Sequence, residues 1–230
     1  WVRGERYPFT YLGLILVKAL LNVRVCYVNE PVKREIQTLE HCVILSNHRS
    51  WADFVICNLV ISPGSSGFVS RAAVSFLLPI AFFWQVVVEK NAVVFNRGKK
   101  TNKVKHLLYK KMTAFMQRGG YLLIFPEGHR YLGQGTLPLK RGVINWAFRE
   151  GYPCAVVLCH GSEAVINERT MSIRRGVEVF CDHRVIYDPA DFKDEQEFHA
   201  RISEDFKVGY EELEGFVATR KKEKAHEKNN

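Results

Sequence analysis

Several signatures are missing from this 230-residue chain, and each absence narrows the reading. There is no CxxC pair. The six cysteines, Cys26, Cys42, Cys57, Cys154, Cys159 and Cys181, stand mostly inside apolar runs. They read as reduced core thiols, in a reducing compartment or facing one. Cys159-His160 and Cys181-Asp182-His183 each offer two metal ligands. With no second pair at zinc-finger spacing, no metal site is expected. No internal repeat is visible. The first apolar run, Phe9 to Leu21, is interrupted by Lys18 and is too short for a comfortable bilayer span. Trp1 stands where an initiator methionine would, so the sequence reads as a processed product or a fragment, and no cleavable signal peptide can be argued. Negative charge is also scarce: 24 acidic residues face 33 basic ones, for a net charge of +9 and a pI near 9.3. Partners should therefore be anionic, such as phosphate groups, acidic membrane surfaces or nucleic acid.

What is present suits a folded enzyme. A hydrophobic content of 47% permits a sizeable core, and 12% aromatics argue against disorder. Apolar runs at Val23–Val28, Cys42–Leu45, Phe68–Ser70, Ala92–Phe95, Tyr121–Phe125, Pro153–Leu158 and Gly176–Val185 read as strands. Between them, Phe54–Val60, Thr101–Met116, the stretch through Phe148 and Asp194–Val217 read as helices. Val104, Leu107, Leu108, Met112 and Phe115 would share one face of the second, with its lysines solvated or turned to anionic lipid. Ser62 to Gly67 reads as a loop. The alternation predicts an α/β fold with a mixed, mainly parallel sheet flanked by helices. Residues 1–28 read as an apolar segment leading into one domain over 29–217, and 218–230 as a charged, frayed tail. The first helix fits either a membrane interface or a buried amphipathic site. The uncharged stretch around Pro79 fits either deep core or a surface that meets acyl chains or membrane.

The segment Asn47-His48-Arg49-Ser50-Trp51-Ala52-Asp53 lies between a strand and a helix, the edge where α/β folds collect ligands. Two readings coexist there. Ser50 and Asp53 suit a capping-box variant that only starts a helix. Asp53 is also placed to bond one nitrogen of His48, fix its tautomer and leave the other as a base. Two further polar clusters follow strand ends, Arg97 and Glu127-Gly128. Together they offer a base, its orienter, a cation and a carboxylate beside backbone N–H groups.

On these residues the chain resembles the glycerophospholipid acyltransferase family that includes the 1-acylglycerol-3-phosphate acyltransferases. The family's NHxxxxD block appears as Asn47 to Asp53. Its second block appears as Val93-Val94-Phe95-Asn96-Arg97, and FPEG as Phe125-Pro126-Glu127-Gly128. The proline-containing fourth block is loosely matched by Pro153-Cys154-Ala155-Val156-Val157. The likeness runs roughly from Leu39 to Leu158. It implies an acyltransferase domain in which His48 is general base and Asp53 its orienter, with no covalent acyl-enzyme. Arg97 would hold the acceptor phosphate, Glu127 and Gly128 would position the acceptor, and Arg71 and Lys140 would add phosphate contacts. Acyl-CoA would be co-substrate rather than cofactor. The acceptor would be a lysophospholipid at a membrane surface, with the active site facing the cytoplasm. His129 stands where lysophosphatidate enzymes usually have threonine, which bears on the acceptor more than on the chemistry. Glycerol 3-phosphate or another lysophospholipid is the rival acceptor. A non-catalytic lipid-binding protein is the rival class. The basic charge also suits nucleic acid, but no nucleic-acid motif accompanies it.

Overall fold

The computed structural model describes residues 8–61, 66–71, 83–95, 102–167 and 169–227. In chain order they form α1 (Pro8–Leu21), β1 (Arg24–Tyr27), α2 (Glu30–Thr38), β2 (His41–Ser46), α3 (Asp53–Ile61) and β3 (Ser66–Arg71). A π-helical turn at Trp84–Val88 precedes β4 (Ala92–Phe95), α4 (Asn102–Met116), β5 (Gly120–Ile124), α5 (Arg141–Glu150) and β6 (Cys154–His160). The short α6 (Ser162–Val165) opens a hairpin of β7 (Ile166–Asn167) and β8 (Ser172–Ile173). β9 (Glu178–Tyr187) and the long α7 (Glu195–Glu227) follow.

The main sheet has the order β1-β9-β6-β2-β5-β3-β4. From β6 to β4 every pairing is parallel, whereas β9 runs antiparallel to β6 and parallel to β1. The sheet is thus mixed and mainly parallel, as the alternation predicts. Its central strands are buried on both faces, which is why they read as unbroken apolar runs. Successive residues still point to opposite sides. Val43, Leu45, Leu122, Ile124, Val156 and Leu158 meet α4, α5 and α7 through Met112, Phe115, Ile144, Trp146, Phe198 and Phe206. Cys42, Ile44, Leu123, Ala155 and Val157 meet α2 and α3 through Ile36, Ile56, Cys57 and Val60. All six cysteines are free thiols; five are buried and Cys26 is half-buried. Burial pushes the Cys42 and Cys154 thiols well up, so they stay protonated and inert.

Several expectations are corrected. Ser66 and Gly67 belong to β3, not to a loop. A Cβ on Gly67 would strike the Asn91 carbonyl and the Phe115 ring, so this glycine marks a close approach to α4 rather than a turn. In α4 the apolar face is buried only toward its end: Met112, Phe115 and Met116 are covered, while Leu107 is 54% exposed. The charged tail does not fray at 218; α7 continues through Glu227, with Lys224 bonding Glu178 and Arg220 paired to Glu223. α2 and the β7–β8 hairpin add elements that the apolar pattern does not signal. α2 buries only Ile36, and the hairpin strands are two residues each. The stretch around Pro79 lies outside the described residues.

Candidate active site

Because β2, β3, β5 and β6 are parallel, their carboxyl ends open on one sheet edge, where the chain leaves them toward His48, Arg71, Glu127 and His160. β4 ends at the same edge. Arg97, two residues beyond it, lies outside the described residues.

His48 is fixed at backbone and ring. Its N–H donates to Glu127 Oε1 at 3.0 Å, and its carbonyl accepts from the Tyr131 N–H at 2.8 Å. Before it, the Asn47 amide donates to the Cys159 carbonyl at 2.8 Å and accepts from the Cys159 N–H at 2.7 Å, continuing the β2–β6 pairing by a side chain. The imidazole stacks on Phe125, centroids 4.1 Å apart at 11°, and meets the edge of Phe54. Its Nδ1 lies 2.8 Å from Asp53 Oδ2. A carboxylate there holds the proton on Nδ1 and leaves the Nε2 lone pair as the basic site. The His48 side chain is 12% exposed and that of Asp53 1%, so the imidazole is reachable while the carboxylate bonded to it is sealed.

The contacts that the two readings call for meet on the same oxygen. Oδ2 also accepts from the N–H groups of Arg49 at 2.5 Å and Ser50 at 2.7 Å, as the carboxylate of a capping box does. The reciprocal half is missing: Ser50 Oγ accepts from the Ala52 N–H and donates to the Ile166 carbonyl. The first turn of α3 and the imidazole are therefore held by one buried group.

Glu127 is buried, with each oxygen taken by a backbone donor: His48 N–H on Oε1 and Leu137 N–H on Oε2, the latter at 2.8 Å. Burial pushes its pKa up, and those two N–H groups oppose the shift. The carboxylate thus braces the His48 segment against the loop after β5. Gly128 next to it sits at φ +78°, and a Cβ there would strike the Lys140 side chain. The Gly128 carbonyl accepts from the Arg71 guanidinium at 3.0 Å. Two cations from distant parts of the chain, Arg71 and Lys140, therefore meet at the FPEG turn.

Composition and spacing give no sign of two further supports. Arg49 is 8% exposed, and its guanidinium donates to the carbonyls of Gly133 and Gly135 and lies over the Tyr210 ring. Phe125 is the floor under the imidazole, and only its place in FPEG hints at it. Exposed Arg130 lies over Trp51, while His129 is exposed with no carboxylate bonded to it among the described contacts. No cluster of three His, Cys, Asp or Glu that could hold a metal ion occurs among the described residues.

A family model described as Acyltransferase matches residues 26–160, more than half of the chain, and spans His48, Asp53, Arg71, Glu127 and Lys140. The chain belongs to the acyltransferase family. Two curated relatives are each named 1-acyl-sn-glycerol-3-phosphate acyltransferase. The one from Escherichia coli is 25% identical over 133 residues, 58% of this chain and 52% of its own length. The one from Haemophilus influenzae is 23% identical over 140 residues, 61% of this chain and 56% of its own. The acyltransferase chain therefore spans about half the length of the curated relatives it matches. The crystal structure of the 1-acyl-sn-glycerophosphate (LPA) acyltransferase PlsC from Thermotoga maritima aligns with a TM-score of 0.70 at 19% identity. It covers 89% of this chain and 78% of that one, and shows that the two share a fold.

Proposed function

We propose that this acyltransferase moves a fatty acyl group from acyl-CoA to the free hydroxyl of 1-acylglycerol 3-phosphate, giving phosphatidate. The observation that carries the reading is the 2.8 Å bond between His48 Nδ1 and the buried Asp53 carboxylate. It makes Nε2 a base directed away from its orienter, at the edge where the strand ends meet. The names of the two curated relatives support the acceptor class.

In this mechanism Nε2 takes the acceptor hydroxyl proton as the oxygen attacks the thioester carbonyl. The C–O bond forms and the C–S bond breaks. The imidazolium returns its proton to the departing CoA sulfur, so His48 ends neutral. Asp53 stabilises the imidazolium between these steps. Phe54 and Phe125 line the ring with apolar surface, which disfavours water as a competing acceptor. Arg71 and Lys140, with Arg97 from the second block, supply positive charge for the acceptor phosphate. Glu127 and Gly128 act on the acceptor indirectly, by setting the FPEG turn on which those cations converge.

The acyltransferase would work at a membrane surface with its site facing the cytoplasm. Among the described residues no helix is long and apolar enough to cross a membrane. α1 instead exposes Leu12, Ile15, Leu16 and Leu20, a stripe suited to lying in an interface. An acceptor panel tests the reading. Lysophosphatidate, glycerol 3-phosphate and lysophospholipids with larger head groups are offered in competition with one acyl-CoA, and the products are identified. Phosphatidate should dominate. A product from another acceptor replaces the substrate, and no product at all favours a non-catalytic lipid binder.

A further inference from the structure

The β7–β8 hairpin stands apart from the main sheet and supplies no side chain to the site just described, yet its composition is unusual. Met171 is 82% exposed and Ile173 63%, the two most exposed large apolar side chains among the described residues. Met171 sits at φ +48°, a left-handed turn position that glycine or asparagine fills more easily. Between Asn167 and Gly176 the sequence carries Arg169, Arg174 and Arg175 against one acid, Glu168. All three arginines are exposed. A single exposed apolar residue needs no explanation, but two on one short hairpin, flanked in sequence by three exposed arginines, form an amphipathic tip.

The hairpin is also well rooted. Ser50 Oγ donates to the Ile166 carbonyl at 2.9 Å, and Arg174 N–H donates to the Val165 carbonyl at 3.0 Å. Gly176 N–H reaches the Leu21 carbonyl at 2.9 Å, at the end of α1. The exposed Leu16 and Leu20 of α1, with Lys18 between them, thus lead toward the hairpin.

We propose that the β7–β8 hairpin is a second membrane-contact element, which enters the head-group layer of an anionic phospholipid bilayer. Met171 and Ile173 reach the acyl boundary, and Arg169, Arg174 and Arg175 meet lipid phosphates. The inference rests on the membrane-surface reading above and names an anchoring site apart from α1. Its bond to Ser50, inside the His48 segment, would fix the orientation of the catalytic edge relative to the bilayer.

The test uses the full chain carrying Cys26→Ser, which removes the one half-buried thiol. An environment-sensitive fluorophore is placed on Met171→Cys or, for comparison, on Leu16→Cys. Each protein is mixed with vesicles of phosphatidylcholine, alone or with phosphatidylglycerol. The label at 171 should brighten and shift to the blue with anionic vesicles. Met171→Asp with Ile173→Asp should weaken vesicle partition at least tenfold while thermal melting and turnover on detergent-dispersed substrate stay near wild type. Arg174→Gln with Arg175→Gln should weaken binding to anionic vesicles about 25-fold, about fivefold for each arginine, with little change on neutral ones. A responsive label at 16 beside a silent label at 171, with both double variants binding as wild type, overturns the hairpin and leaves the membrane reading standing. Failure of the wild type to bind either vesicle overturns both.

Discussion

Asp53 carries two loads on one oxygen, and substitution can separate them. In Asp53→Asn an amide oxygen can still accept from the Arg49 and Ser50 N–H groups, but it no longer offers a carboxylate to the imidazole. Turnover should fall about 10²- to 10⁴-fold while the protein stays folded. Asp53→Ala should lose the turn contacts as well, adding about 1–2 kcal/mol of destabilisation in a denaturant titration. Glu127 gives a different pattern. In Glu127→Gln one acceptor oxygen replaces two, so either the His48 or the Leu137 N–H is left unpaired. That should cost about 1–3 kcal/mol, and the loosened His48 backbone should lower turnover alongside it. Equal stability in Glu127→Gln would contradict the bracing role.

The elements differ in how firmly they are set. Gly67→Ala should cost about 1–3 kcal/mol or more, because the added methyl meets the Asn91 backbone and Phe115 in α4, and only one of those can move. The midpoint of denaturation should drop with little change in slope. Along α7, Phe206→Ala should cost about 3–5 kcal/mol, since Phe206 is fully buried against the sheet. Lys224→Ala should cost no more than about 1 kcal/mol, because its bond to Glu178 is solvent-exposed. These contrasts also explain which elements were legible. β2, β5 and β6 announce themselves as short apolar runs because both faces are buried. Gly67 resembles a loop signal because one sequence shows φ preference and not what stands beside the chain. The end of α7 is mostly charged, and its helix persists through contacts with β9 that local composition does not reveal. The candidate site was more legible than its supports. His48, Asp53 and Glu127 stand in recognisable spacing. Arg49, Tyr131 and Tyr210 reach the site only through tertiary contacts.

At the scale of the whole molecule, basic charge and buried titratable groups set the response to pH. Burial lowers the His183 pKa from its ordinary 6.5 to about 4. Unfolding exposes a group that takes a proton near pH 6.5, which the folded protein refuses until about pH 4. Its contribution is therefore intact above 6.5 and is lost as pH falls toward 4, by about 3 kcal/mol at the limit. His160, lowered by burial, acts in the same direction. Glu127 and Asp182, raised by burial, act in the opposite one. The clean readout is a difference: His183→Leu should flatten the loss of stability between pH 6.5 and 4 relative to wild type. An unchanged profile would mean that His183 is charged in the folded protein.

The central claim is that His48 is the base of a direct acyl transfer, and thiol release tests it most directly. Detergent-purified wild type and His48→Ala are given acyl-CoA with and without lysophosphatidate, and free CoA thiol is followed over time. The wild type should release CoA only when the acceptor is present, and His48→Ala should melt normally yet lose nearly all turnover. Release at the wild-type rate by a folded His48→Ala variant would contradict the mechanism.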